Sequence, residues 1–146
     1  MLKDNTAKRI QTFLQLRLQK EGTINAMMNM KLESVDEEKR KIILSFPVEK
    51  WQLNPVGHMH GGLISTAMDI TMGCVAYTFS KADFTPTIQL SVNFVNAIKE
   101  GDTLYLEGVC DHGGSRMAQT RAVARTNHKD EVVASANGSY AINTKQ

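Results

Sequence analysis

Apolar residues first recur at helical spacing. Ile10, Phe13, Leu14 and Leu18 make one stripe, which predicts a helix over residues 5–21 ended by Gly22. Its polar side is mildly basic, so a helix docked on its own domain competes with one lying on a membrane surface; docking is the preferred reading. The period then changes to two. Ile24, Ala26, Met28, Met30 and Leu32 alternate with Thr23, Asn25, Met27, Asn29 and Lys31, which predicts a half-buried strand. A polar turn over residues 36–39 and a second alternation through Ile42, Leu44 and Phe46 complete a hairpin. Residues 47–57 read as a loop.

Residues 61–79 predict a second helix whose apolar residues fall on nearly every face, from Leu63 and Ile64 to Val75 and Ala76. A helix of that kind is a buried one. Its glycine and β-branched content is high, so burial rather than propensity must hold it. Four strand-like runs follow, over residues 87–95, 103–110, 116–126 and 131–142. Gly101-Asp102, Gly113-Gly114 and residues 128–130 are their turns. No further long helix is available for parallel crossovers, so the sheet should be mostly antiparallel and wrapped around the buried helix. The fold class is α+β.

Size fits this picture. A chain of 146 residues suits one domain, 1–146, without repeats or linkers. A domain of that size buries roughly 70% of its unfolded surface and needs no staples. The formal charge of +2 is too weak to call for nucleic acid. Cys74 and Cys110 lie far apart in apolar stretches, as reduced thiols of a cytoplasmic protein do. Lys3, Asp4, Lys8, Arg9 and Arg17 interrupt any apolar run, so no signal peptide is expected, and no stretch approaches a membrane span.

Chemistry concentrates between Asn54 and Asp69. Asp69 is the only acidic residue between Glu49 and Asp83 and falls in the middle of the buried helix. Burying a carboxylate without partners costs several kcal/mol, so it marks either a functional group or the cap of a neighbouring loop. Gly61 and Gly62 open the same helix. Its first N–H groups lack internal partners and its dipole is positive there, which suits an anion or a developing oxyanion. A helix start after a tight turn is the plainer alternative. His58 and His60 form His-x-His, but no spacing connects them with Asp69, His112 or His128, so no metal is expected. His60 either orients a substrate carbonyl or locks the loop. From His112 to Lys129 there is no acidic residue, while Arg116, Arg121, Arg125 and Lys129 are present. This is a phosphate-binding surface or a solvated strand face.

The segment Asn54-Pro55-Val56-Gly57-His58-Met59-His60-Gly61-Gly62, with Asp69 seven residues on, resembles the PaaI-like branch of hotdog-fold thioesterases. The pattern N-x-x-G-x-x-H-G-G-x6-D matches at each fixed position, and the order of elements extends the likeness over the chain. The resemblance implies a sheet wrapped around a long helix and hydrolysis of acyl-CoA thioesters without cofactor or metal, coenzyme A being part of the substrate. It puts Asp69 on the catalytic carboxylate, which activates water or attacks directly, and Gly61 on the oxyanion donor. Asn54 and His60 fall on the groups that hold the thioester and shape the loop. Thr87 falls on a residue that helps to place water. Lys99 and the turn carrying Gly114, Ser115 and Arg116 match regions of nucleotide contact. Pro55 and His58 depart from the usual residues at variable positions.

Eight residues along a helix span about 12 Å. Gly61 and Asp69 of one chain therefore cannot both reach one carbonyl and its attacking water. Two antiparallel helices across a two-fold axis solve this, which predicts an isologous homodimer with shared sites. The resemblance adds pairing of dimers into tetramers. The chief rival is a non-catalytic acyl-CoA or fatty-acyl binding module on the same fold, which would not need Asp69. A dehydratase would need a His/Glu or His/Asp pair, which the pattern lacks.

Overall fold

The computed structural model describes residues 2–128 and 131–145. In chain order the elements are α1 (Asp4–Phe13), a π-helical segment (Leu14–Leu18), the single-turn α2 (Ile24–Met27), β1 (Lys31–Asp36), β2 (Lys41–Pro47), a 3-10 turn (Lys50–Gln52), α3 (Gly61–Thr78), β3 (Thr87–Phe94), β4 (Thr103–Gly113), β5 (Met117–Thr126) and β6 (Val132–Ala141). The six strands form one sheet in the order β1-β2-β4-β5-β6-β3, and every neighbouring pair is antiparallel. This is the expected hotdog arrangement, with α3 packed against β2 to β6. No helix among the described residues is long and apolar enough to cross a membrane.

Helix α3 is buried at Ile64, Ala67, Met68 and every position from Ile70 to Thr78. The sheet meets it with alternate residues: Ile42, Leu44 and Phe46 of β2, Leu104 and Leu106 of β4, Ala118, Ala122 and Ala124 of β5. Alanines on β5 let the helix lie close to the sheet, while the larger β2 and β4 side chains fill its flank. Helix α1 covers one end of α3 with Ile10, Phe13 and, from the π-helical segment, Leu18.

One expected element is absent. Residues 24–30 do not form a strand. The Thr23 hydroxyl accepts the Ala26 N–H at 3.3 Å and caps a single helical turn, and β1 begins only at Lys31. The alternation from Ile24 to Leu32 matched a strand in period, yet local capping won, and Met28 is fully buried while Met27 is about half exposed. The first helix also stops earlier than expected and ends as a π-helical segment. The turn expected at residues 128–130 falls partly outside the described residues.

The two sheet edges differ. β1 carries Lys31, Glu33 and Asp36 and a register shift between Leu32 and Ser34, the usual devices that keep an edge from pairing. β3 carries no charge, and its Ile88 and Phe94 are 54% and 55% exposed. It pairs with β6 on one side only.

Candidate active site

Chemistry-bearing groups sit at two places along α3. At its start the backbone is folded by local contacts. Asn54 Oδ1 accepts the N–H of Val56 at 3.1 Å and of His58 at 3.0 Å, and the Asn54 N–H donates to the His58 carbonyl at 2.7 Å. Gly57 closes this loop at φ +86°, a conformation that side chains other than glycine resist. The His60 N–H then donates to the carbonyl of the fully buried Gln52 at 2.8 Å.

His60 caps α3: its Nδ1 accepts the Gly62 N–H at 2.8 Å. A neutral ring accepting at Nδ1 carries its proton on Nε2. Of the two roles open to His60, the Nδ1 bond fits loop and helix locking, and the residue is exposed. The Gly61 N–H has no acceptor among the described residues. It borders a cavity of about 260 Å³ shared with Asn54, His58 and Phe94. A Cβ at position 61 would stand 3.2 Å from the half-exposed Phe94 ring, which would have to shift by a few tenths of an ångström to admit it.

The second group gathers around Asp69. The Thr87 hydroxyl donates to Asp69 Oδ1 at 2.8 Å, and the Tyr140 hydroxyl donates to the same oxygen at 2.7 Å. Oδ2 keeps no partner among the described residues. Asp69 was expected to be buried; it is half-buried and opens onto a cavity of about 280 Å³. The exposed strand β3 leaves that side uncovered. Tyr140 is buried at the end of β6, and burial, reinforced by the Asp69 charge and hydrogen bond, raises its pKa far above the ordinary tyrosine value. It is therefore a fixed donor. Sequence reasoning missed it. The available signal was an aromatic with a polar tip following the small inward residues Ala134, Ala136 and Gly138.

Within one chain the two groups stay apart. Asn54, His60 and Gly61 share the helix start, and Asp69 meets Thr87 two turns further on. The residues expected to hold coenzyme A are also dispersed. Lys99 forms a backbone bridge to His58 beside the Gly61 cavity. Gly114 and Ser115 line a cavity of about 770 Å³ beyond the far end of α3, beside Phe79. Arg116 is exposed in the same turn. Arg121 and Arg125 alternate with the inward alanines of β5, so they lie on the sheet face turned away from α3. Arg121 Nε bonds both oxygens of Asp111 at 3.1 Å. Lys129 lies outside the described residues.

A model of the thioesterase superfamily matches residues 56–133, which holds Gly61, Asp69 and Thr87 and is more than half of the chain. The chain belongs to the thioesterase superfamily. This thioesterase is 32% identical over 108 residues to the Pseudomonas aeruginosa protein named "Putative esterase PA0474", covering 73% of the chain and 78% of the relative. The crystal structure of smu.793 from Streptococcus mutans bound to acetyl CoA superposes with a TM-score of 0.72 at 28% identity, over 81% of this chain and 91% of that one. The Escherichia coli PaaI protein from the phenylacetic acid degradation operon superposes with a TM-score of 0.82 at 14% identity, over 97% and 96% of the two chains, and so shares the fold. The activity of the superfamily, thioester hydrolysis, is the activity of this chain.

Proposed function

We propose that the thioesterase hydrolyses acyl-CoA at a site built from two protomers, with Asp69 of one and the Asn54–Gly61 loop of the other. The observation that carries this reading is the pair of incomplete half-sites flanking an uncharged, exposed strand. β3 runs from Thr87, beside Asp69, to Phe94, beside Gly61. If β3 pairs antiparallel with its own copy about a two-fold axis, Thr87 of one strand meets Phe94 of the other. Each Asp69 cavity then faces a Gly61 N–H across the interface, which removes the 12 Å separation. Pairing also covers Ile88 and Phe94 and gives the free edge its ladder. Two such dimers pairing into a tetramer is the larger assembly this reading expects.

The chemistry follows from the atoms left free. Two donors hold Asp69 Oδ1, so Oδ2 takes a proton from water. The Thr87 oxygen, its own proton spent on Asp69, accepts the water's other hydrogen. The water oxygen bonds to the thioester carbon, and the carbonyl oxygen gains the charge that the Gly61 N–H of the partner subunit meets. A donor so placed contributes roughly 3–4 kcal/mol. The oxyanion then re-forms the carbonyl as the C–S bond breaks, and the coenzyme A thiolate leaves with the proton held on Asp69, which restores the carboxylate. Thiolate leaves readily, so no strong general acid, metal or cofactor is needed.

Lys99, placed beside the Gly61 loop, is the first phosphate contact this reading assigns, with Gly114, Ser115 and Arg116 at the far turn. Arg121 and Arg125 face away from their own α3, so they serve coenzyme A only when it crosses from another protomer. A screen over an acyl-CoA panel with thiol detection tests the reading. Turnover that disappears in Asp69→Asn is expected; binding of acyl-CoA without turnover would instead establish the non-catalytic binding module.

A further inference from the structure

We propose that the N-terminal segment selects the acyl group, and that Arg17 recognises a carboxylate at that group's far end. The inference rests on the acyl-CoA reading above and names its substrate class: the mono-CoA thioester of a dicarboxylic acid. The cavity that holds Asp69 is also lined by Phe13, Arg17 and Asn25 of the N-terminal segment. Its floor is α3, where Gly73 and Tyr77 lie one and two turns beyond Asp69. An acyl group whose carbonyl stands at Asp69 is thus led along α3 toward the N-terminal segment.

Charge decides what the far end meets. Among the described residues, Arg17 and Asp69 are the only charged ones lining this cavity. The Arg17 guanidinium lies 5.9 Å from the Tyr77 ring centre. Tyr77 is eight residues from Asp69, or about 12 Å along the helix. An acyl chain ending in a carboxylate has its charge drawn to Arg17 and repelled by Asp69, which fixes the direction of entry. A neutral chain of the same length adds nothing to the Asp83 carbonyl and Tyr77 ring that the guanidinium already meets.

Arg17 is not needed to dock the helix, because Arg9 already does that. Arg9 sits 4.1 Å over the Tyr77 ring and donates to the carbonyls of Tyr77 at 2.6 and 3.0 Å and of Ala82 at 2.5 Å. Arg17 is exposed and makes one hydrogen bond, to the Asp83 carbonyl at 2.7 Å. A guanidinium has five N–H donors in a fork suited to carboxylate, so most of that fork remains for a ligand. The backbone is also shaped here. Arg17 belongs to the π-helical segment Leu14–Leu18, and Asn25 Nδ2 donates to its carbonyl at 3.1 Å. Such segments occur often at functional sites.

The test compares kcat/KM for matched esters: succinyl- against butyryl-CoA, adipoyl- against hexanoyl-CoA, suberoyl- against octanoyl-CoA. For at least one pair the wild type should prefer the carboxylated ester by about tenfold or more, the worth of a charge-assisted hydrogen bond. Arg17→Gln should collapse that ratio, and the free diacid should inhibit the wild type better than the matching monoacid and lose this advantage in Arg17→Gln. Preference for the uncarboxylated ester in every pair would overturn the proposal, as would an Arg17→Gln variant that lowers both esters of a pair equally. Hydrolysis without carboxylate preference sinks this inference alone; no hydrolysis of any CoA ester sinks the acyl-CoA reading with it.

Discussion

The two ends of the proposed catalytic arrangement are made in opposite ways. The Gly61 end is built within nine residues, by Asn54 folding its own loop and His60 capping the helix that follows. The Asp69 end is built across the fold: Thr87 comes from an edge strand and Tyr140 from 71 residues away. The first presents a backbone N–H, which no substitution removes short of proline. The second presents side-chain atoms, which single substitutions erase. Damage at the two ends should therefore look different.

The largest effect is expected at Asp69. Asp69→Asn should lower kcat by roughly 10²–10⁴, the range of a lost general base, with little change in the thermal midpoint. Retention of activity within a few-fold would move catalysis elsewhere. Tyr140→Phe comes next. It deletes one donor to a charged oxygen, worth about 1.5–3 kcal/mol, so kcat should fall roughly ten- to hundredfold without a matching rise in KM. If KM alone rises, Tyr140 serves binding and the contrast with the Gly61 end weakens.

At the local end, His60→Ala removes the cap of α3 and should cost about 1 kcal/mol of stability, measured by denaturant unfolding. Its activity should fall less than that of Tyr140→Phe, because the Gly61 N–H remains. A loss as deep as that of Asp69→Asn would make Nε2 a catalytic donor.

The smallest effect lies further along α3. Burial pushes the Cys74 thiol from 9.0 to about 12. The folded state thus favours the protonated thiol; that contribution is complete below about pH 9 and is lost as the pH rises toward 12. The unfolding free energy should fall across that window, and Cys74→Ala should flatten the fall. Cys74 should also stay unreactive in a thiol-detection assay of the folded protein.

This contrast explains what could be read from the chain. The loop and helix start were legible because their interactions span few residues, so spacing alone carries them. The buried helix and five of the six strands were legible, β2, β4, β5 and β6 because burial imposes a period and β3 from its apolar alternation. Thr87 was legible only through resemblance, and Tyr140 not at all, since nothing along β6 states what its end will touch. The failure at residues 24–30 has the same physical root in reverse. There an apolar alternation was present, but a Thr23 cap and a single turn of α2 used it differently. Arg121 shows the limit of charge counting: its guanidinium is occupied by Asp111 on the face turned away from α3.

The shared site is most directly tested by complementation. Asp69→Ala and Asn54→Ala, each confirmed folded, dimeric and nearly inactive, are unfolded, mixed equally and refolded together. Half of the dimers should be mixed, and each mixed dimer should hold one intact site and one doubly broken site. Activity should return to about a quarter of wild type, by counting sites in a two-fold dimer. Activity that stays at the level of the single mutants, in a sample where mixed dimers are demonstrated, would contradict a site composed of Asp69 from one protomer and the Asn54–Gly61 loop from the other.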